Sequence, residues 1–299
     1  MEYVFPALDY QAFLSRAEFG SHHETVDHVN RQIFRSYRGE RAGEVPNELF
    51  KLRHDVYCIE RAFLKADDSF DGMEFDDFDD SAMHFAAYTM EESLVGTVRL
   101  VTPRAPLPFP FQLHCSTFDD FSIPPREQCG EISRLAVKRT HRRRRADSVA
   151  GIPGFALPQQ AAPTLAPEVE RRHSASPMLL LGMYREMYRH SRDNGIRYWF
   201  AAMERSLAHA LARMGFRFAA IGPVADYYGA VTPYMLDLGE LTPRLAENNP
   251  TLAAWFDEKP LIFAAPRSSH VRIHEDNVNG EPDHGDPAPT PCEPPQAND

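Results

Sequence analysis

Three stretches of this chain place charge where an apolar residue is expected, and they limit what the chain can fold into. Arg99 sits inside GTVRLV, which otherwise reads as a buried strand. Glu131 and Arg134 interrupt EISRLAV, which alternates like a strand. Arg53 lies in LFKLRHDVY, in the middle of an amphipathic helix. Charged side chains are rarely buried fully unless paired, so such a fold has to bring carboxylates to these arginines. The segment GMEFDDFDD offers them, with Asp76 and Asp79 as expected partners. A network of Arg53, Arg99, Asp76 and Asp79 would hold the N-terminal segment over a sheet. The alternative is a set of surface ion pairs, each worth roughly 0–1 kcal/mol. Side chains alternate along a strand, so Glu131 and Arg134 point to opposite faces unless a bulge intervenes. A half-buried carboxylate such as Glu131 is a candidate general base with a raised pKa.

The remaining pattern alternates between helix and strand. Residues 47–64 have helical spacing, with Asn47 as candidate N-cap. His84–Met90 and Leu94–Thr102 form a hairpin through Glu91-Glu92-Ser93, and Glu131–Lys138 is a strand. Ser176-Pro177 offers an N-cap with proline at N1, opening a helix that stops near Asn194-Gly195. Arg197–Met203 is an apolar strand, Ser206 caps a short helix that Gly215 stops, and Phe216–Ile221 and Pro233–Leu238 close the sheet. The step from 131 to 203 implies a right-handed crossover between two parallel strands. The expected fold is α/β (α+β), a mixed central sheet with helices on both faces. Where the two parallel strands diverge, their backbone groups become free to bind a ligand.

With 299 residues and 43% hydrophobic content the chain can bury one substantial core. Residues 1–265 read as one domain, with a flexible insertion at about 146–176 rich in Pro and Gly. Residues 266–299 are polar and Pro-rich, a composition that predicts disorder. No run of 18 apolar residues predicts a membrane span, and the N-terminus lacks a secretory pattern. Cys58, Cys115, Cys129 and Cys292 show no metal spacing, so no metal site is expected and the cysteines suit a reducing, cytoplasmic setting. A net charge of −11 disfavours nucleic acid as a partner. The basic run Lys138, Arg139, Arg142, Arg143, Arg144 and Arg145 has no interleaved aromatics, which also speaks against base stacking. It is either a docking patch for an acidic partner or a solvated loop.

Jointly these segments resemble the acyl-homoserine-lactone synthases, the autoinducer synthases of bacterial quorum sensing. The resemblance rests on Arg53 with Tyr57, on Phe63, on Glu74-Phe75-Asp76-Asp77-Phe78-Asp79, on Gly96 with Arg99, and on Glu131, Ser133 and Arg134. It spans roughly residues 45–140. Gly229-x-x-x-Pro233-Tyr234 lies outside that pattern and is similar to a related group, the acyltransferases associated with PEP-CTERM/exosortase protein sorting. N-acyl amino acid synthases are a further sibling group. The resemblance implies a GNAT-like acyl-CoA N-acyltransferase fold with a splayed pair of parallel strands. It implies transfer of a fatty acyl group from an acyl carrier protein or CoA thioester to a small amine. Glu131, Arg99 and Ser133 take the catalytic roles, with Glu131 as base. Arg53, Phe63, Asp76, Asp79, Arg134 and Trp199 bind substrate, and Met183, Met187, Trp199 and Phe200 are candidates to touch acyl carbon. No tightly bound cofactor is implied, only an acyl-phosphopantetheine thioester as donor. Many acetyl-CoA-dependent GNAT enzymes carry a Gly-rich pyrophosphate loop after the first parallel strand; here Arg139–Arg145 follows, which suits a carrier-protein donor docked on Arg139, Arg142, Arg143, Arg144 and Arg145. Two alternatives stay open: a non-catalytic GNAT-like module that binds acylated carrier or lipid, and a peptide N-acyltransferase using acyl-CoA.

Overall fold

The computed structural model describes residues 23–27, 32–39, 44–65, 71–142, 168–227 and 229–257. All lie in the compact unit Met1–Phe263. The tail 266–299, and residues 146–167 of the expected insertion, fall outside the described residues. Among the described residues, no helix is long and apolar enough to cross a membrane.

Nine strands form the sheet: β1 (His23–Asp27), β2 (Gln32–Arg38), β3 (Ala82–Thr89), β4 (Leu94–Val101), β5 (Cys129–Val137), β6 (Tyr198–Met203), β7 (Ala219–Ala220), β8 (Ala225–Asp226) and β9 (Ala230–Asp237). Their order is β1-β2-β3-β4-β5-β6-β9-β7, with β8 also on β9. The helices are α1 (Asn47–His54), α2 (Glu168–Asp193), α3 (Arg205–Arg213), α4 (Leu238–Asn248) and α5 (Pro250–Asp257).

The expected hairpin and the β5–α2–β6 step are present, and β5 and β6 run parallel. All eight residues of β4 are buried. A strand covered on both faces cannot alternate between apolar and polar. Helix α1 covers one face, where Leu49, Phe50 and Leu52 cluster with Ile33, Tyr37 and Ala86. Helix α2 covers the other with Met178, Leu181, Met183, Tyr184 and Met187, against Phe34, Phe85, Val98, Leu100 and Trp199. Its approach is close: a Cβ on Gly182 would stand 2.0 Å from Phe34 Cζ. Burying each such large apolar side chain stabilises the fold by roughly 1.5–3 kcal/mol.

Several expectations change. Pro46, not Asn47, occupies the N-cap position of α1, and Leu49 N–H donates to the Pro46 carbonyl. After His54 the helix widens into a π-type turn, Asp55–Glu60, and stops at Arg61, short of residue 64. Helix α2 begins at Glu168, so Ser176 and Pro177 lie within it, and 168–176 is helix rather than insertion. Strands β1 and β2 and helices α4 and α5 add to the elements read from sequence; α4 carries Leu238, Leu241 and Leu245 at helical spacing around an internal Pro243. Each gains its order from packing, β2 on β3 for example over the register from Gln32/Thr89 to Arg38/Met83.

The parallel pair is joined at only three positions, Cys129/Tyr198, Gly130/Trp199 and Glu131/Phe200. Strand β5 runs on to Val137 and β6 to Met203 without further pairing between them. The strands therefore splay, and Glu131 stands at the last paired position.

Candidate active site

One face of the sheet collects the charged side chains. The register sets His84 opposite Arg99, Arg99 opposite Ser133 and Val101 opposite Glu131, so all share that face. Simple alternation would send Arg134 to the other side. A bulge prevents this. Two steps on β4, from Thr97 to Arg99, face three on β5, from Ala136 to Ser133. Arg134 has φ 51°, a left-handed backbone that costs a residue with a Cβ about 1 kcal/mol or more. The exception noted for a bulge is the one the chain uses, and it brings Arg134 round to the charged face.

The acidic segment meets these arginines. Arg53 donates through Nε to Glu74 Oε2 at 2.6 Å, and through Nη1 and Nη2 to Asp79 at 2.6 and 3.1 Å. Arg99 grips Asp76 with both Nη atoms, at 2.6 and 2.7 Å. Its Nη1 also reaches Asp79 Oδ1 at 2.7 Å, and its Nε donates to Ser133 Oγ at 2.8 Å. Arg134 donates to Glu74 Oε1 and Asp76 Oδ2, both at 2.9 Å. The expected network exists and is larger, since Glu74 and Arg134 join it. Three guanidiniums and three carboxylates cancel in charge. Bidentate geometry repays part of the large cost of removing them from water.

The electrostatics follow. Burial alone would raise the Asp79 carboxyl, but Arg53 and Arg99 outweigh it and hold it well below the carboxylate range. Burial would likewise raise Asp76, which Arg99 and Arg134 pull below its ordinary value. His84, beside Asp79 at 3.7 Å, is pushed down to about 4 mainly by burial and stays neutral at pH 7.

Glu131 has the opposite fate. It is 2% exposed. One carboxylate oxygen accepts the Phe111 N–H at 2.9 Å. Phe200 pairs with Glu131 in the strand register, and its ring packs with those of Phe109 and Phe111, centroids 5.1–6.4 Å apart. Burial pushes its pKa up to about 8, although the Phe111 N–H, Arg99 and Arg134 oppose the rise.

The other expected site residues divide. Phe63 is half-buried at the rim, its ring 6.3 Å from that of Tyr57. Tyr57 in turn lies under the Arg134 guanidinium and donates to the Leu135 carbonyl. Trp199 is not brought to the site. It points to the α2 side, fully buried, with its indole N–H donating to Ser191 Oγ at 2.9 Å. Met183 and Met187 lie in that same core. Of the basic run, Arg139 is exposed. Arg142 folds back, donating to the Val137 carbonyl and pairing with Glu60 at 2.6 Å. Arg143, Arg144 and Arg145 lie outside the described residues. Sequence reasoning missed His84 and Phe111. A neutral buried histidine carries no signal of its own, and Phe111 acts through a backbone N–H that every non-proline residue has.

Residues 52–150 match the family described as acetyltransferase (GNAT) domain. Among curated proteins, none matches the chain. Similar solved structures include the AHL synthase LasI, 18% identical with a TM-score of 0.48 over 73% of this chain and 96% of that one. They include a CoA-dependent acyl-homoserine lactone synthase, BjaI, with SAM and isopentyl-CoA, 18% identical with a TM-score of 0.47 over 76% of this chain and 89% of that one. FeeM, an N-acyl amino acid synthase from uncultured soil microbes, is 16% identical with a TM-score of 0.42 over 76% of this chain and 99% of that one. The mixed sheet with its splayed parallel pair is GNAT-like, and residues 52–150 carry the match to an acetyltransferase domain.

Proposed function

We propose that this enzyme is an N-acyltransferase that moves a fatty acyl group from an acyl carrier protein thioester, or its CoA counterpart, to a small amine. One observation carries the reading: the parallel strands part immediately beyond Glu131, which leaves a buried carboxyl at the apex of the opening. Past that point, among the described residues, no strand pairs with β5 on its β6 side, so its backbone N–H groups are placed to polarise a thioester carbonyl lying in the gap.

The acceptor amine is protonated at neutral pH and must lose a proton before it attacks. A carboxylate of ordinary pKa is a poor match for an alkylammonium. One raised to about 8 is far closer, and such matching favours transfer. In this scheme Glu131 takes the proton, directly or through water. The amine nitrogen bonds to the acyl carbon, the C–S bond breaks, and the carrier leaves as its thiol. Arg99 and Ser133 keep the acidic segment fixed beside the opening, and Arg53, Asp76, Asp79 and Arg134 shape its wall. Phe63 and Tyr57 border it. The basic end of β5 favours an acidic carrier protein as donor, by charge complementarity. No bound cofactor enters the scheme. A cytoplasmic location and association with exosortase-linked protein sorting complete the proposal. They rest on the cysteine usage and on the Gly229–Tyr234 resemblance.

The test is direct. Incubated with acyl carrier protein thioesters, or CoA thioesters, and a panel of amines, the enzyme is expected to release free thiol and form the amide. A panel that yields neither, with both donors, would sink the reading. Binding of acylated carrier without turnover would instead favour the non-catalytic alternative.

A further inference from the structure

The segment between β4 and β5 carries Phe111, and three contacts fasten it to the segment between α3 and β9. First, Phe118 N–H donates to the Ile221 carbonyl at 2.9 Å. Second, Gly222 lies so near Ser116 that a Cβ there would stand 2.0 Å from the Ser116 carbonyl oxygen. Third, the His114 and Tyr227 rings stack with centroids 3.9 Å apart and planes 12° from parallel. Aromatic pairs generally prefer offset or edge-on packing at 4.5–7 Å, so this face-to-face pair reflects backbone that brings the rings together. The fastened segment connects to the base within a few bonds. His114 N–H and Cys115 N–H both donate to the Phe111 carbonyl, at 3.1 and 2.8 Å, and Phe111 N–H donates to Glu131.

We infer that this clasp, Tyr227 on His114 with Gly222 against Ser116, is the positioning device that seats Phe111 on Glu131 and so keeps the proton acceptor dry and aimed. The inference rests on the reading of Glu131 as base and adds residues that neither the charged network nor the splayed strands include. The residues act through Phe111 and need not touch substrate.

The physical consequence has a definite sign. Loosening the clasp admits water to Glu131 and also weakens the Phe111 bond. Burial is the largest influence on that carboxyl and raises it, whereas the Phe111 N–H lowers it by less. The net change is therefore downward. The charged and titratable groups facing Glu131 are Arg99 from β4, Arg134 from β5, Asp76 from the acidic segment and Cys115 from the clasped segment. Tyr227 itself interacts electrostatically with Arg134, so Gly222→Ala, which leaves the phenol in place, separates the clasp from that interaction.

The experiment follows the titration of Glu131 by carbon-13 NMR of glutamate-labelled protein, assigned with Glu131→Gln. Tyr227→Ala is expected to lower the Glu131 midpoint by about one unit or more and to move the pH profile of kcat down with it, the plateau value falling and KM little changed. Tyr227→Phe keeps the ring and should restore both. Gly222→Ala, which forces the Ser116 carbonyl away, should act like Tyr227→Ala. An unshifted Glu131 midpoint in both folded variants overturns the clasp. Because the readout is the carboxyl itself, the two ideas fail separately. A shifted midpoint in an enzyme that transfers no acyl group would sink the proposed function and leave the clasp standing.

Discussion

Two buried carboxyl sites share one face of the sheet and behave in opposite ways. In the network, Glu74 and Asp79 are buried like Glu131 and Asp76 is half-buried, yet each is held below its ordinary pKa. Glu131 sits one pleat from Ser133, itself bonded to Arg99, and is pushed up to about 8. Burial acts on all four in the same direction. The difference lies in partners: every network carboxylate has two guanidiniums within hydrogen-bond reach. Glu131 has the Phe111 backbone N–H, with Arg99 and Arg134 acting on it only through their charge. Saturated pairing yields a rigid support, and a single neutral donor yields a group able to exchange a proton. The contrast shows how one sheet carries both a structural and a reactive acid.

The contrast breaks most readily at Glu131. Glu131→Gln is expected to reduce turnover roughly 10²–10⁴-fold while the thermal midpoint holds or rises, since the variant buries no ionisable group. A stopped assay for free thiol, alongside a melting curve, checks this; unchanged turnover removes Glu131 as base. Next in size is Arg53→Leu. It leaves Glu74 and Asp79 each with one partner fewer in a dry site, and the expected loss of stability is about 3–5 kcal/mol, read by denaturant unfolding. A loss near zero would mean that the network is solvated.

The pH dependence sharpens the comparison. Glu131 is protonated in the fold up to about 8 but ionises near 4.5 when unfolded. Between those values the native state binds more protons, so its contribution to stability is full below about 4.5 and is lost as pH rises to about 8. Each unit of separation is worth about 1.4 kcal/mol, and Glu131→Gln should abolish this slope. Activity should rise over the same range, with an apparent pKa near 8 in kcat/KM. The network carboxylates have the reverse sign. Their contribution is present above the usual carboxylate range and lost only in strong acid. The smallest effect is expected at Trp199→Phe. Losing the bond to Ser191 should cost about 1 kcal/mol, with kcat/KM close to that of the native enzyme, because the indole faces away from the charged side.

Much of this was legible in the residues. Arg53 and Arg99 declared themselves as charges inside apolar periodicity, and the acidic segment offered Asp76 and Asp79 as partners, with surface ion pairs as the open alternative. The hairpin and the parallel crossover followed from pattern. What escaped notice did so for stated reasons. Trp199 and Glu131 belong to neighbouring parallel strands, and only the register, Glu131 beside Phe200, shows that the indole takes the opposite face. Pro177 resembles a helix start, and only the extra turns before it show otherwise. The clasp joins residues more than a hundred positions apart through backbone and ring contacts, with no spacing to betray it.

The sequence by itself marked which charges needed partners if buried, because unpaired charge is costly to bury, and the central strands of the sheet, because apolar periodicity is local. The tertiary structure alone decided three things: the bulge that turns Arg134 toward the network, the point at which β5 and β6 part, and the drying of Glu131 beneath Phe111. Each depends on how distant backbone segments are set against one another, a property that no single stretch of residues contains.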